Sequence, residues 1–334
     1  MVTNFLKLIR FGNLVIIALL MVIIRVFIFD AGLPSLFSMQ LDVLHFSLLV
    51  LSVVLIAAGG NIINDIYDQE TDEINKPHKK IIGTHLSETM GWVLYLSCTI
   101  TGIAIGYYLA HYFLNDNSFL LFHLISPALL WVYASNLKKT ALIGNLVISL
   151  LAAFVPLTAL TFEYGAMLIT YWDIIQMNVL GNPFQYMFDW SFYLALFAFT
   201  TTLVRELIKD IEDIEGDEQT QIKTLAVKLG VEKTKTAALI LSVSIAILVI
   251  FSALKFSLFA DHRIAVVVYQ TLTVVSLIIF SVVKLRKAES KDDFHFVGNI
   301  WKLIMIFGFC TCVILFIFNS FFQVLLFKRK ILFQ

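Results

Sequence analysis

Apolar runs, each about as long as a bilayer is thick, follow one another along most of this chain. A helical membrane span needs about 20 mainly apolar residues in succession. Nine stretches meet that need, near residues 11–29, 43–63, 91–113, 118–134, 141–161, 190–208, 237–260, 264–283 and 300–327. Lipid offers no water to backbone N–H and C=O groups, so such runs must be helices or the strands of a closed barrel. Barrel strands alternate apolar and polar positions. These runs are continuously apolar, which leaves helices. The pattern predicts an all-α, multi-pass membrane bundle of about nine helices, one domain over residues 1–334. The first run follows Lys7 and Arg10 as a signal peptide would, but no small-residue cleavage site follows it. It reads as a retained first span.

Composition sharpens this picture. Hydrophobic residues make up 59% of the chain and charged residues 14%, against roughly 25% charged in a soluble domain. The mean hydropathy is +0.88, too apolar for a water-facing surface. The net charge is zero, so no global attraction to nucleic acid exists. Cys98, Cys310 and Cys312 all lie in apolar runs. They form neither a disulfide framework nor a metal-site spacing, and read as small apolar residues.

Lysine and arginine accumulate on the cytoplasmic side of membrane proteins. With the N-terminus inside, the inside segments hold Lys7, Arg10, Lys76, Lys79, Lys80, Lys138, Lys139, Arg205, Lys209 and most of the later basic residues. The outside set is Arg25, Lys255, Arg263 and a basic tail, Lys328, Arg329 and Lys330, which is the one conflict. The stretch from Phe162 to Asp189, assigned outside, has no lysine or arginine. Two inside loops, near 64–89 and 205–236, carry most of the acidic residues.

The first loop opens with Asn64-Asp65-Ile66-Tyr67-Asp68-Gln69-Glu70-Thr71-Asp72, the second with Lys209-Asp210-Ile211-Glu212-Asp213-Ile214-Glu215-Gly216-Asp217. Each places aspartates at i, i+3 and i+7, a spacing that predicts one stripe of a helix. Ile66 matches Ile211 and Glu70 matches Glu215, so the pair reads as an internal repeat. Carboxylates on one stripe repel and need a cation nearby. Oxygen-only sites favour magnesium or calcium, and magnesium binds through a few carboxylates together with substrate phosphates. Two facing clusters of this kind would grip a diphosphate and neutralise the charge that develops as it leaves an allylic carbon. One acidic motif at a membrane edge is ordinarily a solvated face. Two with the same spacing, on one predicted face, point to function.

The paired motifs resemble those of the UbiA superfamily of intramembrane prenyltransferases, and the resemblance covers nearly the whole chain. It implies about nine helices around a central pocket, a Mg2+ cofactor, a polyprenyl diphosphate donor, a lipophilic acceptor and surrounding membrane lipid. It implies metal-binding roles for Asp65, Asp68, Asp72, Asp210, Asp213 and Asp217. Asn61 and Asn64 lie beside the first cluster and would bond the diphosphate or a metal-bound water. The stretch Tyr133-Ala134-Ser135-Asn136-Leu137-Lys138-Lys139, followed by Gly144-Asn145, resembles the family's connection between its fourth and fifth helices. There a basic residue contacts diphosphate, a role for Lys138 or Lys139. Asn75-Lys76-Pro77-His78-Lys79-Lys80 keeps charge where many relatives have arginine before the proline, without arginine's bidentate grip. Arg205 and Lys209 stand one turn apart before Asp210. His78 and His85 read as solvated loop histidines. Tyr67 either lines the path of a carbocation or packs at the interface.

Other classes fit less well. Soluble isoprenyl diphosphate synthases share paired aspartate motifs but are not this apolar. A cation-coupled transporter would carry its acids mid-membrane beside broken helices. The Asp-Gly and Ala-Arg motif of lipid phosphate-alcohol transferases is not found. The wording of the second motif resembles most the branch containing geranylgeranylglyceryl phosphate geranylgeranyltransferases, with an aromatic quinone precursor as the alternative acceptor.

Overall fold

The computed structural model describes residues 2–33, 36–75, 80–176, 184–257 and 263–332. Among them are nine helices long and apolar enough to cross a membrane. We label these spans α1 (Phe11–Asp30), α2 (Val43–Tyr67), α3 (Glu88–Phe113), α4 (Asn117–Ser135), α5 (Ile143–Thr170), α6 (Gln185–Glu212), α7 (Val231–Leu254), α8 (Val266–Lys287) and α9 (Lys291–Ile314). The expected all-α bundle is present, and no strand is found among the described residues.

Most helices outrun their apolar stretches. The run 141–161 lies in a helix that continues to Thr170, and the run 190–208 in one that spans Gln185–Glu212. Helix propagation adds a hydrogen bond per residue once a nucleus exists, so it continues into polar segments whose side chains reach water. The last run, read as 300–327, belongs to one helix from Lys291 to Leu332, 42 residues long. At 1.5 Å per residue it extends about 63 Å, roughly twice the hydrocarbon thickness. The helix carries the basic tail beyond the hydrocarbon layer on the face opposite Lys291, so the tail's conflict with the charge rule stands.

The two polar segments are largely helical rather than loops. After α2 comes a short helix, Gln69–Asn75, and after α6 come Ile214–Gln219 and Leu225–Leu229. The single stripe expected of each motif is interrupted at the same place in both. Asp68 (φ −92°, ψ 5°) ends α2, and Asp213 (φ −98°, ψ 7°) ends α6. Hydrogen bonding nonetheless runs through both breaks: Asp68 N–H donates to Asn64 and Asp72 N–H to Asp68, while Asp213 N–H donates to Lys209 and Asp217 N–H to Asp213. The repeat seen in the sequence is thus a repeat of backbone shape.

Small residues bring the helices together, as is usual where lipid removes the hydrophobic drive for helix association. A Cβ on Gly102 of α3 would lie 2.9 Å from the Ser52 carbonyl of α2, and one on Gly60 of α2 would meet Leu130 of α4. Interior helix α6 packs against α5, α7 and α9.

At the end of the bundle remote from the aspartates, a buried ion pair closes the structure. Arg25 of α1 donates to Glu163 of α5 at 2.5 Å and to the Leu41 carbonyl at 2.5 Å. Glu163 is fully buried and also accepts from the backbone N–H groups of Gln40 and Leu41. Arg25 lies over the Phe46 ring, 5.2 Å from its centroid. Removing one partner of a buried pair strands the other and costs about 3–5 kcal/mol. Glu163→Ala is expected to lose that much stability in detergent, measured by denaturant unfolding. An Arg25→Met/Glu163→Leu double variant should recover most of it.

Candidate functional site

The ends of α2, α4, α5 and α6, with the start of α1, converge on a cavity of about 890 Å³. All six motif aspartates line it: Asp65, Asp68, Asp72, Asp210, Asp213 and Asp217. So do Asn64, Lys138, Asn145, Arg205 and Lys209. Residues separated by more than a hundred positions are brought to one chamber, as the sequence implied.

The carboxylates have specific neighbours. Arg10 donates to Asp65 at 2.8 Å. Asn64 donates to Asp68 at 2.6 Å, and the Lys138 ammonium also bonds Asp68. Asn145 donates to Asp210 at 2.9 Å. Burial pushes the Asp217 carboxyl up to about 6, against the opposing pull of Lys138. Among the described residues, no three acidic, histidine or cysteine side chains converge closely enough to hold a metal ion unaided. The donor set is nonetheless all oxygen, which suits a hard divalent cation that takes its remaining ligands from phosphate and water.

Local backbone geometry explains how the basic groups arrive. Arg10 adopts φ 53°, ψ 52° between a short N-terminal helix, Val2–Leu8, and α1. That left-handed conformation is uncommon for a residue with a side chain, and strain of this kind costs about 1–3 kcal/mol where it persists. It turns the chain so that the guanidinium reaches Asp65 across 55 positions of sequence. Lys138 sits in a short turn, Leu137–Lys139, pressed against the start of α5. A Cβ on Gly144 would lie 2.9 Å from the Leu137 carbonyl, so only glycine lets the turn come this close.

The structure separates several sequence candidates. Lys138 faces the cavity, whereas Lys139 is exposed and uses its carbonyl to accept from Lys223 N–H at 3.2 Å. Asn61 is not beside the carboxylates. It lies deeper and donates to the Ile9 carbonyl at 2.8 Å. Tyr67 points away from the cavity and meets Trp92 edge-on at 6.2 Å, which leaves it a packing role. His85 lines the chamber. Lys76, His78 and Lys79 lie outside the described residues.

Four contributors carry no motif in the sequence that marks them. Arg10 was counted only as orienting charge. Glu206 and Lys302, both on the cavity, sit inside or beside apolar runs with no motif to mark them. Asn75 was likewise passed over. Its amide donates to the Asp213 carbonyl at 3.1 Å and accepts from Gly216 N–H at 3.1 Å. With a Thr71–Thr220 hydroxyl contact of 3.3 Å, it ties the first motif to the second. Its only signal was an amide three residues beyond the last aspartate of a repeat.

A second cavity, of about 280 Å³, continues from the first into the bundle. The two share Arg10, Asn13, Asn64, Tyr133, Arg205, Glu206, Lys209 and Lys302 at their junction. Beyond that ring the walls are mainly apolar, including Leu20, Ile56, Leu151, Val155, Ala198 and Met305. A charged mouth leading to an apolar shaft can hold a molecule with an anionic head and a hydrocarbon tail.

Residues 18–303 match the UbiA prenyltransferase family. The protein belongs to that family and is an integral, multi-pass membrane prenyltransferase. It is 34% identical over 239 residues to the digeranylgeranylglyceryl phosphate synthase of Saccharolobus solfataricus, covering 72% of this chain and 74% of the relative. The enzyme of that name from Sulfolobus acidocaldarius is 32% identical over 262 residues, 76% of this chain and 83% of the relative. The fold is similar to a solved structure of digeranylgeranylglyceryl phosphate synthase, with a TM-score of 0.61, 23% identity and coverage of 94% and 97% of the two chains. It is also similar to a UbiA homolog from Archaeoglobus fulgidus bound to DMAPP and Mg2+, with a TM-score of 0.55, 17% identity and coverage of 93% and 99%. With the six motif aspartates gathered at one end of the helices and this family membership, the transporter alternative is set aside.

A Cβ at position 216 would overlap the Asn75 amide. Gly216→Ala should therefore force the two motif segments apart and lower turnover by about tenfold or more, since a distant displacement near 1 Å can cost a hundredfold. Helical content by circular dichroism should be unchanged.

Proposed function

We propose that this prenyltransferase moves a geranylgeranyl group from geranylgeranyl diphosphate to geranylgeranylglyceryl phosphate, with Mg2+ as cofactor and its charged mouth on the cytoplasmic side. The observation that carries this reading is the joining of carboxylates, cations and an apolar shaft in one continuous space. Synthases of digeranylgeranylglyceryl phosphate among its relatives support the donor and the acceptor. Seven lysines and arginines line the mouth: Lys7, Arg10, Lys80, Lys138, Arg205, Lys209 and Lys302. That supply suits two phosphate-bearing substrates better than it suits a neutral aromatic acceptor.

Asp65, Asp68 and Asp72 on one side, and Asp210, Asp213 and Asp217 on the other, would hold the metal. When bound, it neutralises charge on the departing diphosphate. Lys138 pairs with Asp68 and Arg10 with Asp65. Binding exchanges these pairs, and the two cations turn from carboxylate to phosphate oxygens. The allylic C–O bond then breaks, and its electron pair leaves with the diphosphate. The acceptor hydroxyl oxygen attacks the allylic carbon to form an ether, and its proton goes to the released diphosphate. The apolar shaft excludes water from the cation.

Turnover is expected to require a divalent cation and to vanish in Asp68→Asn and in Asp213→Asn, both of which should still insert and purify. Product formation from labelled geranylgeranyl diphosphate, followed by mass spectrometry of lipid extracts, checks this. Wild-type rates in excess chelator would sink the mechanism.

Lys138→Gln should weaken donor binding about tenfold or more, because a charge-assisted hydrogen bond contributes roughly 1.5–3 kcal/mol. Exposed Lys139→Gln should change it little. Donor and acceptor saturation curves distinguish the two.

Metal binding needs ionised carboxylates. Asp217, with its carboxyl raised to about 6, is neutral below that pH and charged above it. Affinity for Mg2+ should therefore fall as pH drops through about 6, which calorimetry on the purified protein would record.

A further inference from the structure

Six spans line the continuous space, α1, α2, α4, α5, α6 and α9. Each packs against the next, and α9 packs back against α1, so they close a ring. In that order α2 and α6, which carry the aspartate motifs, stand opposite each other and divide the ring into two sides. On one side α4 and α5 flank the turn that brings Lys138 to Asp68, and α5 brings Asn145 to Asp210. On the other side stand α1 and α9, and α9 carries no residue of either motif.

One stripe of α9 faces the space along its length: His295, Gly298, Asn299, Lys302, Met305 and Phe309. The spacing is that of a single helical face. Its character changes at Lys302, which lines both cavities; the stripe is polar toward the mouth and apolar toward the shaft. An ionisable side chain within a membrane span is costly, and where it faces an interior space it points to function. This side of the mouth is also roomy. A Cβ on Gly12 of α1 or on Gly298 of α9 would meet nothing within 4 Å beyond its own helix, although both glycines line the mouth. Across the ring, Gly144 is pressed against the Leu137 carbonyl.

The reaction given under Proposed function needs a second anion site at the level of Lys302. With the diphosphate among the motif carboxylates, the allylic carbon lies just beyond them, where the shaft begins. Attack requires the acceptor oxygen about 3–3.5 Å from that carbon. Within one glyceryl phosphate, the phosphorus lies no more than about 6 Å from any glycerol hydroxyl oxygen at ordinary bond lengths. The acceptor's phosphate is thereby confined to the junction of mouth and shaft. There it repels the departing diphosphate unless it has a cation of its own.

We propose that Lys302, on the α1 and α9 side of the ring, holds the acceptor's phosphate, across the motif helices from the Lys138 that serves the donor. This rests on the reading under Proposed function and adds to it the residue that selects a phosphate-bearing acceptor.

The test measures kcat/KM for geranylgeranylglyceryl phosphate and for geranylgeranylglycerol, its phosphate-free counterpart. It uses purified protein, Mg2+ and saturating geranylgeranyl diphosphate. The parent should favour the phosphate by about tenfold or more, the size of one charge-assisted hydrogen bond. Lys302→Met should weaken the phosphate acceptor by about that factor, leave the neutral acceptor nearly unchanged, and leave the donor's KM where it was. Lys302→Arg should keep the preference. Lost packing or misfolding weakens both acceptors together and does not move their ratio. If Lys302→Met does not fold, Lys302→Gln makes the same comparison. A parent indifferent to the phosphate, an unchanged ratio in the variants, or a donor KM that rises as much as the acceptor's would overturn this site alone. A parent that uses neither acceptor would overturn the functional reading and the site with it.

Discussion

Six aspartates on the wall of one cavity, at the end of an otherwise apolar bundle, repel one another strongly, and the architecture around them is a means of offsetting that repulsion. Arg10 comes from the turn before the first span, Lys138 from the turn between α4 and α5, and Arg205 and Lys209 from α6. Amides from Asn64 and Asn145 add hydrogen bonds to Asp68 and Asp210. Each of these groups must be delivered by a different helix end, so the charge balance constrains how the bundle packs. The strained backbone at Arg10 is one cost of that delivery.

The same balance suits the site to an anion that arrives with its own cations. Carboxylates paired to lysine and arginine can exchange partners without creating unpaired charge in a partly buried space, which would cost several kcal/mol. The two motifs are held in register by Asn75, which touches the second motif only through backbone atoms. Their separation therefore survives changes in side-chain pairing. Below them the walls turn apolar within one or two helical turns, so the head and tail of an amphipathic substrate are sorted by position along the helices.

The remote end of the bundle solves a different problem. There Arg25 and Glu163 bury a complementary pair against backbone groups of the segment between α1 and α2. A buried ion pair at the outer end and a charged cavity at the inner end give the bundle a direction.

Much of this was legible in the chain. The bilayer forces every span to satisfy its own backbone, so the nine helices follow from local runs of apolar residues, and only their ends were misplaced because helices continue into polar segments. The two aspartate motifs and their common spacing were equally plain, since a repeat is a property of order along the chain. The pairings were not. That Arg10 meets Asp65, that Lys138 rather than Lys139 reaches Asp68, and that Asn75 bridges to Gly216 depend on how helices far apart in sequence lie beside one another. The breaks at Asp68 and Asp213 are invisible to a spacing rule that assumes an unbroken helix. The apolar shaft exists only where α2, α4, α5 and α6 are packed together. Composition and periodicity determined what each segment is, because those are near-neighbour effects; tertiary packing alone decided which charges and which walls face each other.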